Sequence, residues 1–344
     1  MLLKRRKACR VRLNNFLGVL EMLDMVKDFS KGAAYMNGAY VPMAEAKIPV
    51  GDWGFVHSDV TYDVVHVWDG MFFRLEDHLD RFHRSLEGYR LKPPVTREEI
   101  REILGRCVAL SGLREAFVAM ICTRGVPRVY GSRRPSDCDN TFIGYACPWV
   151  DVIPKAVQEV GAHLWVSSVP RVSPLSQDPT FKNYSWRDFV RSLHEAHDHG
   201  YETAVLLDSA GFVTEGSGFN VFAVKGNVVM TPDRGALEGV TRRSVLDLCE
   251  ELGLEGKIMP MRIEDLMQAD EVFCSTTAGG VMPCSRVGNT TLGNNIMAND
   301  RPGPVSLKIK SLYWQKHKEG WHGTAVNYDD PEHPLLTASN MAAA

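Results

Sequence analysis

Long apolar runs are missing from this 344-residue chain. Nothing approaches the ~20 uninterrupted apolar residues that a membrane-crossing helix needs, so no span is expected. Charge of one sign is missing too. Lys and Arg number 39 against 42 Asp and Glu, a formal net charge of −3, which offers no electrostatic reason to expect nucleic acid or an anionic membrane as partner. The eight cysteines (9, 107, 122, 138, 147, 249, 274 and 284) have no CxxC spacing. Cys122, Cys147 and Cys274 sit in apolar strand-like runs, where a free thiol behaves as a small hydrophobe. A disulfide framework is therefore not expected, and a reducing, cytoplasmic (or similar organellar) location is. Repeats and low-complexity tracts are absent. With 44% apolar residues, the chain is long enough for two domains with full cores.

Lys4, Arg5, Arg6, Lys7, Arg10 and Arg12 precede any acid, and the apolar stretch 16–26 is broken by Glu21 and Asp24. That is too interrupted for a secretory signal and too poor in serine for a transit peptide. Residues 1–31 read as an N-terminal extension, although organellar import is left open, and 326–344 as a C-terminal tail. Between them, Asn37-Gly38 and Asp69-Gly70 mark two hairpins. Helical spacing of Leu79, Phe82, Leu86 and Tyr89 predicts a helix over 76–91, and Thr96 with Glu99 opens another with a capping box. Strands are expected at 116–123 and 141–147, making residues 32–150 a small α+β domain. Past Pro148 and Pro154, strands at 162–168, 203–208, 219–224, 227–230 and 271–275 and helices at 186–199, 241–253 and 303–317 describe a second, larger domain over 151–325.

The chemistry concentrates there. Lys182, in Phe181-Lys182-Asn183-Tyr184, is followed 33 positions later by Glu215 within Thr214-Glu215-Gly216-Ser217-Gly218-Phe219-Asn220. An amine able to form a Schiff base, and a carboxylate able to keep a pyridine nitrogen protonated, together suggest pyridoxal 5′-phosphate. Glu215 is expected between two strands, where glycines let the backbone pass close to a bound ring. Thr241 follows Gly239 and opens an apolar-periodic helix whose N-terminus suits a phosphate, or caps that helix. Ser275-Thr276-Thr277, ending an apolar strand before glycines, offers further donors. Arg81 could add full charge, or pair with Asp77 on its own helix. His194, His197 and His199 lack metal-ligand spacing and read as exposed helix histidines.

With these residues assembled, the chain resembles the fold-type IV pyridoxal-phosphate aminotransferases from about Gly32 to Tyr313. Segments 57–64, 73–78, 178–186, 214–220 and 274–283 are most similar to the (R)-selective amine transaminases. The resemblance implies a small α+β domain, a larger β-barrel-like C-terminal cofactor-binding domain, and a homodimer completing a site between them. It implies Lys182 as Schiff-base lysine and proton shuttle, with Glu215 at the pyridine nitrogen. Arg81, the Val240 N–H, Thr241 and Thr276 would hold the phosphate. His57, Tyr62, Phe117 and Trp186 would line the substrate pocket, with Thr277 and Ala278 opposite. Related enzymes carry a keto-acid-binding arginine after the Thr123-Arg124-Gly125 motif, where this chain has Tyr130; Arg128, Arg133 or Arg134 could substitute through a shifted loop. The activity implied is transfer of an amino group from a primary (R)-amine to an α-keto acid such as pyruvate by a ping-pong cycle. The rivals are a D-amino-acid or branched-chain aminotransferase, a lyase on the same scaffold, and a catalytically silent homologue.

Overall fold

A computed structural model describes residues 27–288 and 301–336. The N-terminal extension up to residue 26 and the end of the tail from residue 337 lie outside the described residues. Strands β1 (Ala33–Met36) and β2 (Ala39–Pro42) form the first hairpin, and β3 (Val60–Trp68) and β4 (Met71–Phe73) the second. Both turns need two successive residues with positive φ: Asn37 and Gly38 take 54° and 79°, Asp69 and Gly70 take 48° and 77°. Asn-Gly and Asp-Gly tolerate that conformation, and it matches the strands' right-handed twist. With β5 (Ala116–Thr123) and β6 (Thr141–Pro148), these strands form an antiparallel sheet in the order β4-β3-β5-β6-β1-β2.

Short α1 (Trp53–Val56) precedes β3, while α2 (Leu75–Gly88) and α3 (Arg97–Ser111) cover one face of the sheet. Leu75, Leu79, Phe82 and Leu86 on α2, and Ile100, Leu104, Cys107 and Val108 on α3, are buried in that layer. Each large apolar side chain so buried contributes roughly 1.5–3 kcal/mol. The expected capping box is present: Thr96 Oγ1 accepts from Glu99 N at 3.2 Å, and Glu99 Oε2 accepts from Thr96 N at 2.6 Å.

After α4 (Lys155–Val160) the chain builds a second sheet. Its strands are β7 (Ala162–Val166), β8 (Thr203–Leu207), β9 (Val213–Gly216), β10 (Phe219–Lys225), β11 (Val228–Pro232), β12 (Glu255–Met259), β13 (Glu271–Thr276) and β14 (Gly280–Gly288). β9 pairs with both β8 and β10, so β10-β13-β14-β7-β8-β9 closes into a six-stranded barrel, with β11 and β12 continuing from β10. Val205, Val221, Val272, Cys274, Met282 and Cys284 belong to its apolar core. Helices α5 (Arg187–Asp198), α6 (Val240–Glu251), α7 (Ile263–Met267) and α8 (Pro304–Lys318) lie outside the strands in sequence, and α5 packs on β8, α8 on β14. Finally β15 (Gly323–Ala325) returns to pair with β4, and Val326 and Leu335 bury in the first core. The architecture is the expected mixed α+β one with a barrel in its larger half.

Candidate active site

A cavity opens between the first sheet and the barrel. Lys182 reaches it from the connection between β7 and α5, and that connection is bonded to the first sheet. Thr61 Oγ1 donates to Lys182 O at 2.6 Å, and Lys182 N donates to Ser85 Oγ on α2 at 3.2 Å. The Phe181 ring fits against Gly88, where a Cβ would collide with it. Lys182 Nζ lies 4.7 Å from the centroid of the Tyr62 ring, which itself stacks on Tyr184 at 4.0 Å. Among the described residues no carboxylate is within ion-pair distance of Nζ. Burial, then the charge of Arg81, push its pKa down to about 8, against a weaker upward pull from Asp63 and Glu215. A substantial neutral fraction at physiological pH is what a nucleophilic lysine requires.

Glu215 stands on β9, inside a barrel strand rather than between strands. Its carboxylate is 5% exposed and faces the cavity. Oε1 accepts from Arg171 Nη2 at 3.2 Å, and Oε2 accepts from Leu237 N at 2.9 Å. Arg171 is shared, since its Nη1 donates to Asp188 Oδ2 at 2.6 Å while its guanidinium lies 4.1 Å over the Phe189 ring. Burial pushes the Glu215 pKa up despite Arg171 and the Leu237 amide. A buried carboxylate compensated this incompletely gains from a further cation in the cavity.

The other end of the cavity gathers positive charge and free donors. Arg81 lies on α2 but does not pair with Asp77. Its Nε and Nη2 donate to both oxygens of Asp63 on β3 at 2.7 and 2.8 Å, and His78 Nδ1 donates to Asp63 Oδ1 at 2.8 Å. Asp77 instead pairs with Arg74 and Arg243. Although burial pushes the Asp63 pKa up, Arg81 and His78 hold it well below the usual carboxylate range. Gly239, not Thr241, is the N-cap of α6, and Val240 and Thr241 open the helix with N–H groups that no preceding turn satisfies. A Cβ at Gly239 would collide with Asn220 Oδ1. Thr276 Oγ1 donates to Gly218 O at 2.6 Å, and Ser275 Oγ, also lining the cavity, is buried without a partner.

The pattern of the class IV aminotransferases matches residues 61–287. The chain belongs to this family. The branched-chain-amino-acid aminotransferase of Escherichia coli strain K12 is 29% identical over 302 residues, 83% of this chain and 95% of that one. The D-alanine aminotransferase of Bacillus licheniformis is 26% identical, over 80% of this chain and 93% of that one. Among solved structures, the branched-chain amino acid aminotransferase of T.th. complexed with N-(5′-phosphopyridoxyl)-L-glutamate superposes with a TM-score of 0.77 at 28% identity. That match covers 86% of this chain and 99% of the other. Class IV aminotransferases work with pyridoxal 5′-phosphate, and the chain is a fold-type IV enzyme of that kind.

The residues of this class IV aminotransferase fit that cofactor. An unpartnered lysine of lowered pKa, an under-compensated buried carboxylate and an orphaned Ser275 hydroxyl beside a glycine-capped helix N-terminus are the donor set for an aldehyde, a ring nitrogen and a phosphate. Of the residues singled out in the sequence, the cavity brings together Lys182, Arg81 and Glu215 with Val240, Thr241 and Thr276. Tyr62, Trp186 and Thr277 line it as well.

Four do not line it. His57 caps the end of α1 on the surface with its ring against Trp53. Phe117 packs beside Tyr145 on the sheet. Tyr130 is fully exposed in its loop, and Ala278 is buried with its carbonyl accepting from Val152 N at 2.9 Å. Phe117 nevertheless shares its apolar cluster with Tyr62 and Trp186, which do line the cavity. His194, His197 and His199 are exposed, the last stacked on Trp165 at 4.1 Å.

Asp63, Arg171 and Leu237 were missed. Asp63 had a readable signal, being the one acid in the apolar run 60–68. Arg171 and the Leu237 amide had none, because their partners are 44 and 22 residues away.

Proposed function

We propose that this class IV aminotransferase moves the amino group of (R)-configured primary amines to an α-keto acid such as pyruvate, donor and acceptor using one cavity in turn. The observation that carries this reading is the character of the walls. Tyr62, Phe181, Trp186 and Phe189 are aromatic, while Arg81 and Arg171 are already engaged by Asp63, Asp188 and Glu215. Lys182 is thus the one cation of the cavity without a carboxylate partner among the described residues. An amine with an apolar substituent suits such walls better than a substrate whose carboxylate needs its own cation.

The residues divide the work. Arg81, oriented by Asp63, holds the phosphate with the Val240 and Thr241 N–H groups and the hydroxyls of Thr241 and Thr276. Glu215, oriented by Arg171 and Leu237, keeps the ring nitrogen protonated. When bound, pyridoxal 5′-phosphate supplies the electron sink that stabilises negative charge at the substrate's Cα. Lys182 Nζ takes the proton from the donor's Cα and, in the second half of the cycle, delivers one to the acceptor's Cα, and from its one side of the cavity it reaches a single substrate configuration. Tyr62, Trp186 and Thr277 border the substrate. A homodimer accords with the exposed Val50, Phe55, Val129 and Tyr130.

A second reading, transamination of D- or branched-chain amino acids, is favoured by the relatives' activities. The test is the visible absorption band of the purified holoenzyme, mixed without acceptor with (R)-1-phenylethylamine, (S)-1-phenylethylamine, D-alanine or L-leucine. Bleaching by the (R)-amine and not the (S)-amine supports the proposal. Bleaching by L-leucine alone moves the enzyme to the branched-chain group.

A further inference from the structure

Behind the cavity wall, two imidazoles meet edge to edge. His66 of β3 and His317 of α8 are 2% and 4% exposed. Their Nε2 atoms are 3.1 Å apart, and the rings are nearly coplanar, 5.2 Å between centroids and 21° between planes. His66 Nδ1 contacts Thr277 O at 2.9 Å, and His317 Nδ1 contacts Tyr313 O at 2.7 Å. A carbonyl oxygen only accepts, so both Nδ1 atoms carry hydrogen. Two neutral imidazoles then have no hydrogen left for the contact between their Nε2 atoms, where two lone pairs would face each other. Three contacts require three protons on two rings. A singly charged pair, Nε2–H⁺ donating to the opposite Nε2, satisfies all of them.

We infer that His66 and His317 share one proton at neutral pH, and that this proton holds Thr277 in place as a wall of the substrate cavity. The surroundings are suited to a delocalised cation. The Phe73 ring lies 4.0 Å from that of His317 and 5.5 Å from that of His66, while Trp149 and Trp314 lie 5.2 and 5.1 Å from His66 and His317 respectively. Taken singly, each ring is held below the usual imidazole value, chiefly by burial; His317 and then His78 add to this at His66 and Arg74 at His317, while the Thr277 and Tyr313 carbonyls favour the charge. Arg74 is itself paired with Asp77 and Asp247, and His78 with Asp63, which blunts their repulsion. Loss of the proton removes the one contact of the three that ties β3 to α8, and with it the hold of α8 on the ring that bonds the turn after β13; the third contact lies within α8. His66 and His317 are thus positioning residues acting through Thr277; that they set amine affinity rests on the proposed function.

The test uses the holoenzyme labelled with ¹⁵N in its histidine rings. At pH 7, both Nδ1 atoms protonated and one further proton on the Nε2 pair, with the two rings titrating together, is the expected result. Two unprotonated Nε2 atoms at pH 7 overturn the proposal. Across that titration, KM for (R)-1-phenylethylamine should rise about fivefold or more while kcat changes less than about twofold. His317→Gln, whose amide donates to His66 without a charge, should flatten the KM profile, and His66→Phe should raise KM at every pH. A flat wild-type profile beside the expected NMR result overturns the link to Thr277. Should (R)-amines prove not to be donors, the amine assignment fails separately, and KM is measured with whichever donor bleaches the cofactor band.

Discussion

Replacing Asp63 with Asn isolates the anchor beneath the site. Asp63 is wholly buried and accepts two charge-assisted hydrogen bonds from Arg81, one from His78 and one from Val64 N. Asn keeps one acceptor oxygen but removes the charge, leaving a guanidinium 4% exposed without its counter-ion. Breaking one side of a buried pair costs about 3–5 kcal/mol, so the cofactor-free variant should melt roughly 5–15 °C lower by calorimetry. The pH dependence has a defined sign. A carboxylate whose pKa is depressed in the fold contributes stability above its unfolded value near 4, and loses it as pH falls toward the folded value. The gap between wild type and variant should therefore be constant from about pH 5 to 8 and shrink in stronger acid. Adding Arg81→Met should recover about 1–2 kcal/mol, because the uncompensated charge then disappears with the arginine. A single variant destabilised by less than ~1 kcal/mol, or a double variant weaker than the single, would refute the account of Asp63 as the compensating charge.

Lys182→Ala should abolish turnover while leaving thermal stability nearly unchanged, since Nζ has no carboxylate partner among the described residues; retained transamination in a steady-state assay would sink its assigned role. In the cofactor-free protein, acylation of Lys182 by an amine-selective reagent should reach half-maximal rate near pH 8, as its lowered pKa requires, rather than near the ordinary lysine value of about 10; peptide mapping across pH gives the answer. Glu215→Gln should lower kcat by about 10²-fold or more yet cost only ~1 kcal/mol of stability, since Arg171 keeps Asp188. Equal losses in both would mean that Glu215 is mainly structural. Gly239→Ala drives a methyl into Asn220 Oδ1 at the start of α6, and overpacking of ~1–3 kcal/mol there should weaken cofactor retention on equilibrium dialysis about tenfold or more. Unchanged retention would remove this helix N-terminus from the phosphate site.

Local rules made much of the fold readable. Asn37-Gly38 and Asp69-Gly70 dictate hairpins because few dipeptides accept two positive φ values, and the α2 stripe and the Thr96–Glu99 box act within a few residues of themselves. β14 escaped because Pro283 speaks against a strand, and only pairing with β13 and β7 makes it one. β9, β12 and β15 are too short to carry a period, and their existence depends on a partner strand supplied by the fold.

Residue chemistry and spacing alone singled out Lys182, Glu215, Thr241 and Thr276, because glycine-flanked acids, strand ends and helix starts are local features. Tertiary structure decided what each of them meets. Barrel closure through β9 and β10 buried Glu215 against Arg171, and packing α2 on β3 exchanged Asp77 for Asp63 as the partner of Arg81. The tertiary fold likewise brought His66 to His317 across 251 residues. Backbone preference acts over a few neighbours and is written in them. Charge compensation and desolvation depend on which distant groups the fold brings within about 4 Å, and no local stretch of sequence contains that distance.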